Sequence, residues 1–130
     1  MKYLFIPYEL AVIAKEKGFD EECFARYIKD SDEINFALCA QIVTNTYYGK
    51  ADICSDQFAC VAPLYQQIVD WVRDKSDLMI EITFGTESKF IYVIRDVKNG
   101  TSWAQIVAEE NFNSYYEALN KAIEEALKLI

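Results

Sequence analysis

The chain has 130 residues, 52% of them hydrophobic, with 13 Lys+Arg against 21 Asp+Glu, no histidine and a formal net charge of -8. That apolar share is enough for one core and too high for a disordered chain. With 4 Gly and 2 Pro, the chain is neither collagen-like nor a low-complexity linker.

The opening, Met1-Lys2-Tyr3-Leu4-Phe5-Ile6-Pro7, lacks the long apolar stretch and small-residue cleavage site of a signal peptide. A first helix is expected over 7–17. Pro7 suits its first position, where a missing N–H costs nothing, and Gly18 suits a left-handed cap. Leu10-Ala11-Val12-Ile13-Ala14 is apolar nearly all round, which predicts burial on several sides. Over 19–62 the pattern is harder to read. Ile34, Phe36, Leu38, Ala40 and Ile42 alternate as in a strand, after an Asp30-Ser31-Asp32-Glu33 turn. Cys23 to Ile28 fits either a hairpin partner or one more helical turn, and Thr44 to Gly49 either strand or loop.

From Pro63 the pattern sharpens. Leu64, Tyr65, Ile68, Val69, Trp71 and Val72 recur at helical spacing, predicting an amphipathic helix over 63–75. Leu78, Ile80, Ile82 and Phe84 form one face of a strand. A loop at Gly85-Thr86-Glu87-Ser88 leads to a second strand through Phe90, Tyr92 and Ile94. Asn99-Gly100 is a strong hairpin turn signal, and a third strand is expected over 102–108. Ser114-Tyr115-Tyr116-Glu117 reads as a capping box. The helix after it carries one stripe of Tyr116, Leu119, Ala122, Ile123, Ala126, Leu127 and Ile130, with Glu117–Lys121 and Glu124–Lys128 as i,i+4 ion pairs. The expectation is a single α+β domain over 1–130. It begins with an N-terminal helix and continues as a helix, a three-stranded antiparallel meander and a helix.

The charge distribution argues against duplex nucleic acid. Residues 1–62 hold 6 basic and 10 acidic groups and residues 63–130 hold 7 and 11, so no basic patch exists to neutralise phosphates. Helix–strands–helix order is similar in topology to the double-stranded RNA-binding domain. That family needs a basic start to its last helix, and Ser114 to Lys121 offers one Glu and one Lys. No run reaches ~18 apolar residues, so no membrane span is expected. The setting reads as cytoplasmic, with Cys23, Cys39, Cys54 and Cys60 reduced. Their spacings of 16, 15 and 6 residues fit neither a zinc ribbon nor a redox motif. A Cys54–Cys60 disulfide has no support.

Without histidine no Ser-His-Asp or Cys-His site can be built, and the commonest nitrogen ligand for zinc is missing. The Asp30 to Glu33 run lacks the Gly and the distant Glu of a calcium loop. Glu109-Glu110 and Glu124-Glu125, as neighbours in sequence, do not face each other on a helix. No Gly-rich phosphate loop is present. The sequence assigns no catalytic, cofactor-binding or metal residue, and no cofactor. Tyr47-Tyr48 and Tyr115-Tyr116 are aromatic pairs, of which one member each is expected to point outward, as at protein interfaces.

Three stretches then stand out together: Glu9-Leu10-Ala11 with Lys15 to Glu21, Ala62-Pro63-Leu64-Tyr65-Gln66-Gln67 with Asp70-Trp71, and the ending Tyr116 to Ile130. As a set this resembles a family of small hypothetical proteins encoded by phages and prophages of gut bacteria. The resemblance implies a mobile-element origin and a host-cytoplasmic setting, and transfers no site residue. The expected function is a small non-enzymatic protein-interaction module whose partner is a host or phage protein, with no duplex nucleic acid and no membrane. Homo-oligomers remain open. The alternatives are an acidic nucleic-acid mimic that inhibits a host DNA-binding protein, and a small carboxylate-dependent enzyme.

Overall fold

Tyr8–Glu16 forms the first helix, α1, in the computed structural model. The structure describes residues 2–36, 43–45, 58–98 and 104–130. These contain three α-helices and two three-stranded antiparallel sheets. They divide into two compact units, 1–68 and 69–130.

In α1, Leu10, Ala11 and Ala14 are buried, while Val12 and Ile13 are partly covered. Pro7 precedes the helix instead of opening it: its ψ of 153° is extended. The far end closes as a Schellman motif. Gly18 takes φ 95°, its N–H donates to the Lys15 carbonyl at 3.0 Å, and the Phe19 N–H donates to the Ala14 carbonyl at 2.9 Å. Ala14 and Phe19 are both buried, the apolar contact that accompanies this cap.

The first sheet consists of β1 (Ala25–Ile28), β2 (Ile34–Phe36) and β3 (Phe58–Val61) in the order β2-β1-β3. Of the two readings open for 23–28, the hairpin strand is the one found. Asp30 takes φ 58° in the turn, the Ser31 N–H donates to the Ile28 carbonyl, and Ser31 Oγ accepts from the Glu33 N–H at 3.0 Å. The continuation of the strand over 37–42 lies outside the described residues, as do Thr46 to Gly49. β3 has no counterpart in the sequence reading. Asn45 stitches this unit together: its Nδ2 donates to the Phe19 carbonyl at 2.6 Å, and its Oδ1 accepts from the Val61 N–H at 3.0 Å. Lys15 Nζ on α1 donates to the Ala59 carbonyl on β3 at 2.6 Å.

The second helix, α2, spans Tyr65–Ser76, two residues later than the start expected at Pro63. Pro63 and Leu64 are engaged otherwise. The Pro63 carbonyl accepts from the Ile6 N–H at 3.0 Å, and Leu64 bridges Phe5 in antiparallel fashion. Gln67 Oε1 then accepts from the Leu64 N–H, as a cap does for an orphan donor. Ile68 and Val72, one turn apart, are the buried pair of the stripe. The helix ends at Asp77, which takes φ 56°, a conformation Asp tolerates better than most residues.

The second sheet is a meander of β4 (Leu78–Phe84), β5 (Phe90–Asp96) and β6 (Ala104–Phe112). β4 and β5 pair without a break, placing Ile80 opposite Ile94 and Ile82 opposite Tyr92. The Asn99-Gly100 turn lies outside the described residues. β6 runs four residues past its expected end at Ala108. Its register with β5 slips twice, and Asn111 at the second slip has φ 78°, the left-handed residue of a β-bulge.

The last helix, α3, spans Tyr115–Lys128. Ser114 Oγ accepts from the Glu117 N–H at 3.1 Å, as a capping box requires. The reciprocal bond differs from expectation: Glu117 Oε2 accepts from the Asn113 N–H, one residue before the cap. Ala118, Leu119, Ala122, Ile123, Ala126 and Leu127 are buried. They pack on the sheet face that carries Phe90, Tyr92 and Ile94, as the Phe90–Tyr115 ring contact requires. The opposite face carries the Glu81–Arg95 ion pair at 2.8 Å.

Candidate interaction surface

An antiparallel meander brings alternate turns to the same end. Here the β4–β5 hairpin and the β6–α3 connection meet, and each strand ends there in phenylalanine. Phe84 closes β4, Phe90 opens β5 and Phe112 closes β6, and the register pairs Phe90 with both of the others. Tyr115 and Tyr116 open α3 at the same place.

The rings form a chain of edge-to-face contacts. Phe84 and Phe90 lie 5.0 Å apart between centroids at 87°, Phe90 and Tyr115 6.3 Å at 86°, and Tyr115 and Tyr116 5.5 Å at 88°. This geometry suits the aromatic quadrupole. Three of the rings remain open to solvent: Phe84 is 61% exposed, Tyr115 46% and Tyr116 42%. Both tyrosines of the 115–116 pair therefore face outward, where one was expected to. Behind them, Phe112 meets Tyr92 at 5.7 Å, and Tyr92 is buried.

The turns flanking the rings are held in costly backbone conformations. Glu87 has φ 60° and Ser88 φ 59°, values that cost a non-glycine residue about 1–2 kcal/mol. Gly85 closes the hairpin by donating its N–H to the Lys89 carbonyl at 2.7 Å. A β-carbon there would lie 2.6 Å from Ile91 Cδ1, so a larger residue would need the Ile91 side chain to shift. Lys89 Nζ donates to Asn113 Oδ1, tying the hairpin loop to the turn before α3.

On the polar side of α3, two lysines and two glutamates are tied into one ion-pair network. Lys121 bridges Glu124 and Glu125 at 3.2 and 3.1 Å, and Lys128 bridges the same two at 3.3 and 2.8 Å. These hydrogen bonds lower both carboxyl pKa values and raise both ammonium ones. The expected Glu124–Lys128 pair forms. The expected Glu117–Lys121 pair does not, because Glu117 is turned back to Asn113 and Lys121 reaches forward. Burial pushes the Tyr92 hydroxyl up to about 12, helped by the carboxylate of Glu109, to which it donates at 3.2 Å.

Other residues singled out by sequence sit apart. Asp32 is hydrogen-bonded to Lys2 at 2.6 Å, which lowers its pKa. Every carboxylate with a displaced pKa among the described residues is displaced downward. Among these residues no group of three or more His, Cys, Asp or Glu could hold a metal ion. Glu109 and Glu110 lie on β6, where neighbours alternate between faces. Cys23 and Cys60 are buried free thiols, and burial raises them to about 12 and about 11. Cys39, Cys54, Tyr47 and Tyr48 lie outside the described residues. No helix of the described residues is long and apolar enough to cross a membrane. Compared with protein-family models, curated proteins and solved structures, the chain matches none.

Proposed function

We propose that the chain is a small non-enzymatic protein-interaction module of phage or prophage type, which engages a host or phage protein in the cytoplasm through the aromatic end of its second unit. The observation that carries this reading is the exposed ring chain Phe84–Phe90–Tyr115–Tyr116. Exposed aromatics converging on one spot are what interface centres are made of. Packed edge to face, these rings lose little side-chain freedom on binding, which reduces the cost of association. The flanking backbone strain fits a preformed binding surface. The acidic balance of both halves supports a protein partner over a duplex nucleic acid. The mobile-element setting rests on the resemblance of the three sequence stretches alone.

The test is retention of a partner from bacterial lysate by the tagged chain, with and without the double substitution Phe84→Ala and Tyr115→Ala. Both side chains are substantially exposed, so the variant should still fold cooperatively, with a urea midpoint lowered by the ring contacts it loses. The proposal expects one stoichiometric protein that the variant no longer retains. A partner held equally by the folded variant, or none held by the wild type, refutes it.

A further inference from the structure

The first unit holds a cleft of ≈ 260 Å³ with Tyr3, Phe5, Tyr8, Tyr27 and Tyr65 in its wall. Five aromatic residues thus line a small space, and an aromatic face turned toward it attracts a cation. Tyr8 and Tyr27 meet edge to face at 5.5 Å and 76°, forming a corner. Tyr27 is anchored there, since its hydroxyl donates to the Ile6 carbonyl at 2.5 Å. Tyr3 stands at the mouth, 67% exposed.

The charge in the same cleft has the matching sign. Glu9 and Asp32 line it beside a single basic residue, Lys2, and the field of both carboxylates reaches the Tyr27 hydroxyl. The positive end of α1 opens onto this region and would oppose a cation. Glu9, in the first turn of that helix, offsets it. Lys2 is itself informative. Its ammonium lies 2.6 Å from Asp32, with the two side chains 59% and 74% exposed. A pair so open to water is held weakly. The chain thus places one of its own alkylammonium groups at the acidic rim, in a bond that a competitor can displace.

We infer that this cleft is a binding site for an alkylammonium group, a lysine side chain or a methylated or quaternary amine, with Lys2 as an exchangeable occupant of its acidic rim. The inference is independent of the aromatic end of the second unit. It concerns different residues and holds or fails without that reading. A lysine of a partner protein and a free quaternary amine share this chemistry.

The experiment is a chemical-shift titration of the isotope-labelled chain with tetramethylammonium chloride. Sodium chloride serves as the ionic control and neopentyl alcohol as the neutral analogue of similar shape. Saturable shifts in the millimolar range, confined to the cleft residues and given only by tetramethylammonium, are expected. Tyr3→Ala and Glu9→Gln should each weaken binding about three- to fivefold, the scale of an exposed cation–π or ion contact. Lys2→Gln should tighten it by freeing Asp32. Both Tyr3 and Glu9 are exposed, so the variants keep the remaining spectrum as a fold control. No saturable shift, an equal response to the neutral analogue or to sodium chloride, or weaker binding by Lys2→Gln overturns the inference. A second arm, with a lysine-containing peptide, separates the sources once the cleft binds. Matching shifts from the peptide assign a protein lysine, and a response to tetramethylammonium alone assigns a free quaternary amine.

Discussion

Two tyrosines are buried at 1% exposure, Tyr27 in the first unit and Tyr92 in the second, and removing each hydroxyl should have different consequences. Tyr27 donates to the carbonyl of Ile6 at 2.5 Å. Ile6 is fully buried, at 0%, and its N–H is already engaged by the Pro63 carbonyl. In Tyr27→Phe that carbonyl loses its partner where water does not reach, a penalty of about 1–3 kcal/mol. Tyr92 donates at 3.2 Å to Glu109, whose side chain is exposed. In Tyr92→Phe the carboxylate is rehydrated, and the loss should stay below about 1 kcal/mol. The two substitutions delete the same atom from rings of equal burial, so the difference isolates the state of the acceptor. Urea unfolding followed by far-ultraviolet circular dichroism reads both, through the midpoint at unchanged slope. The reasoning is refuted if Tyr27→Phe lies within about 0.5 kcal/mol of wild type, or if Tyr92→Phe costs as much.

Stability should fall on the alkaline side, starting with the thiols. Cys60 and Cys23 are raised from 9.0 to about 11 and about 12, Tyr92 from 10.0 to about 12, and Tyr27 also upward, in each case chiefly by burial. These groups are neutral in the fold and ionise more readily in the unfolded chain. Their contribution is therefore complete below pH 9 and is lost progressively through pH 9 to 12; urea midpoints that stay flat across this range would contradict the assignment. At the start of α3, Ser114→Ala should cost about 1 kcal/mol and Ser114→Gly only a few tenths. Equal costs for the two in the same urea assay would mean that the Ser114 Oγ bond to the Glu117 N–H contributes little.

The parts of the fold that were legible in sequence are those determined by local physics. α3 shows its cap and most of its stripe: Leu119, Ala122, Ile123, Ala126 and Leu127 are buried as the 3.6-residue period predicts, while Tyr116 is exposed and Ala118, outside the stripe, is buried. Gly18 stops α1 as its position foretells. Local rules failed where a distant partner decides. Pro63 and Leu64 look like the start of a helix, but Phe5 and Ile6 recruit them into extended pairing. β3 is four residues long with Cys60, Val61 and then Ala62 buried in succession, so it has no alternation to read.

The aromatic end shows the same division at the scale of a site. Each ring was visible in sequence, and Phe84 and Phe90 flank a recognisable loop. Their convergence with Phe112 was not visible, because it depends on β6 outrunning its expected end at Ala108. That extension requires the extra residue near Asn111, whose φ of 78° is affordable for Asn but carries no periodic signal. With the bulge in place, Phe112 comes level with Phe90, and the chain then needs only Asn113 and Ser114 to turn into α3. Tyr115 thereby lands on the Phe90 ring. A single register slip thus brings together side chains from three strands and a helix. For that reason the position of Asn111, more than the identity of any one ring, determines whether this end of the second unit presents a contiguous aromatic surface.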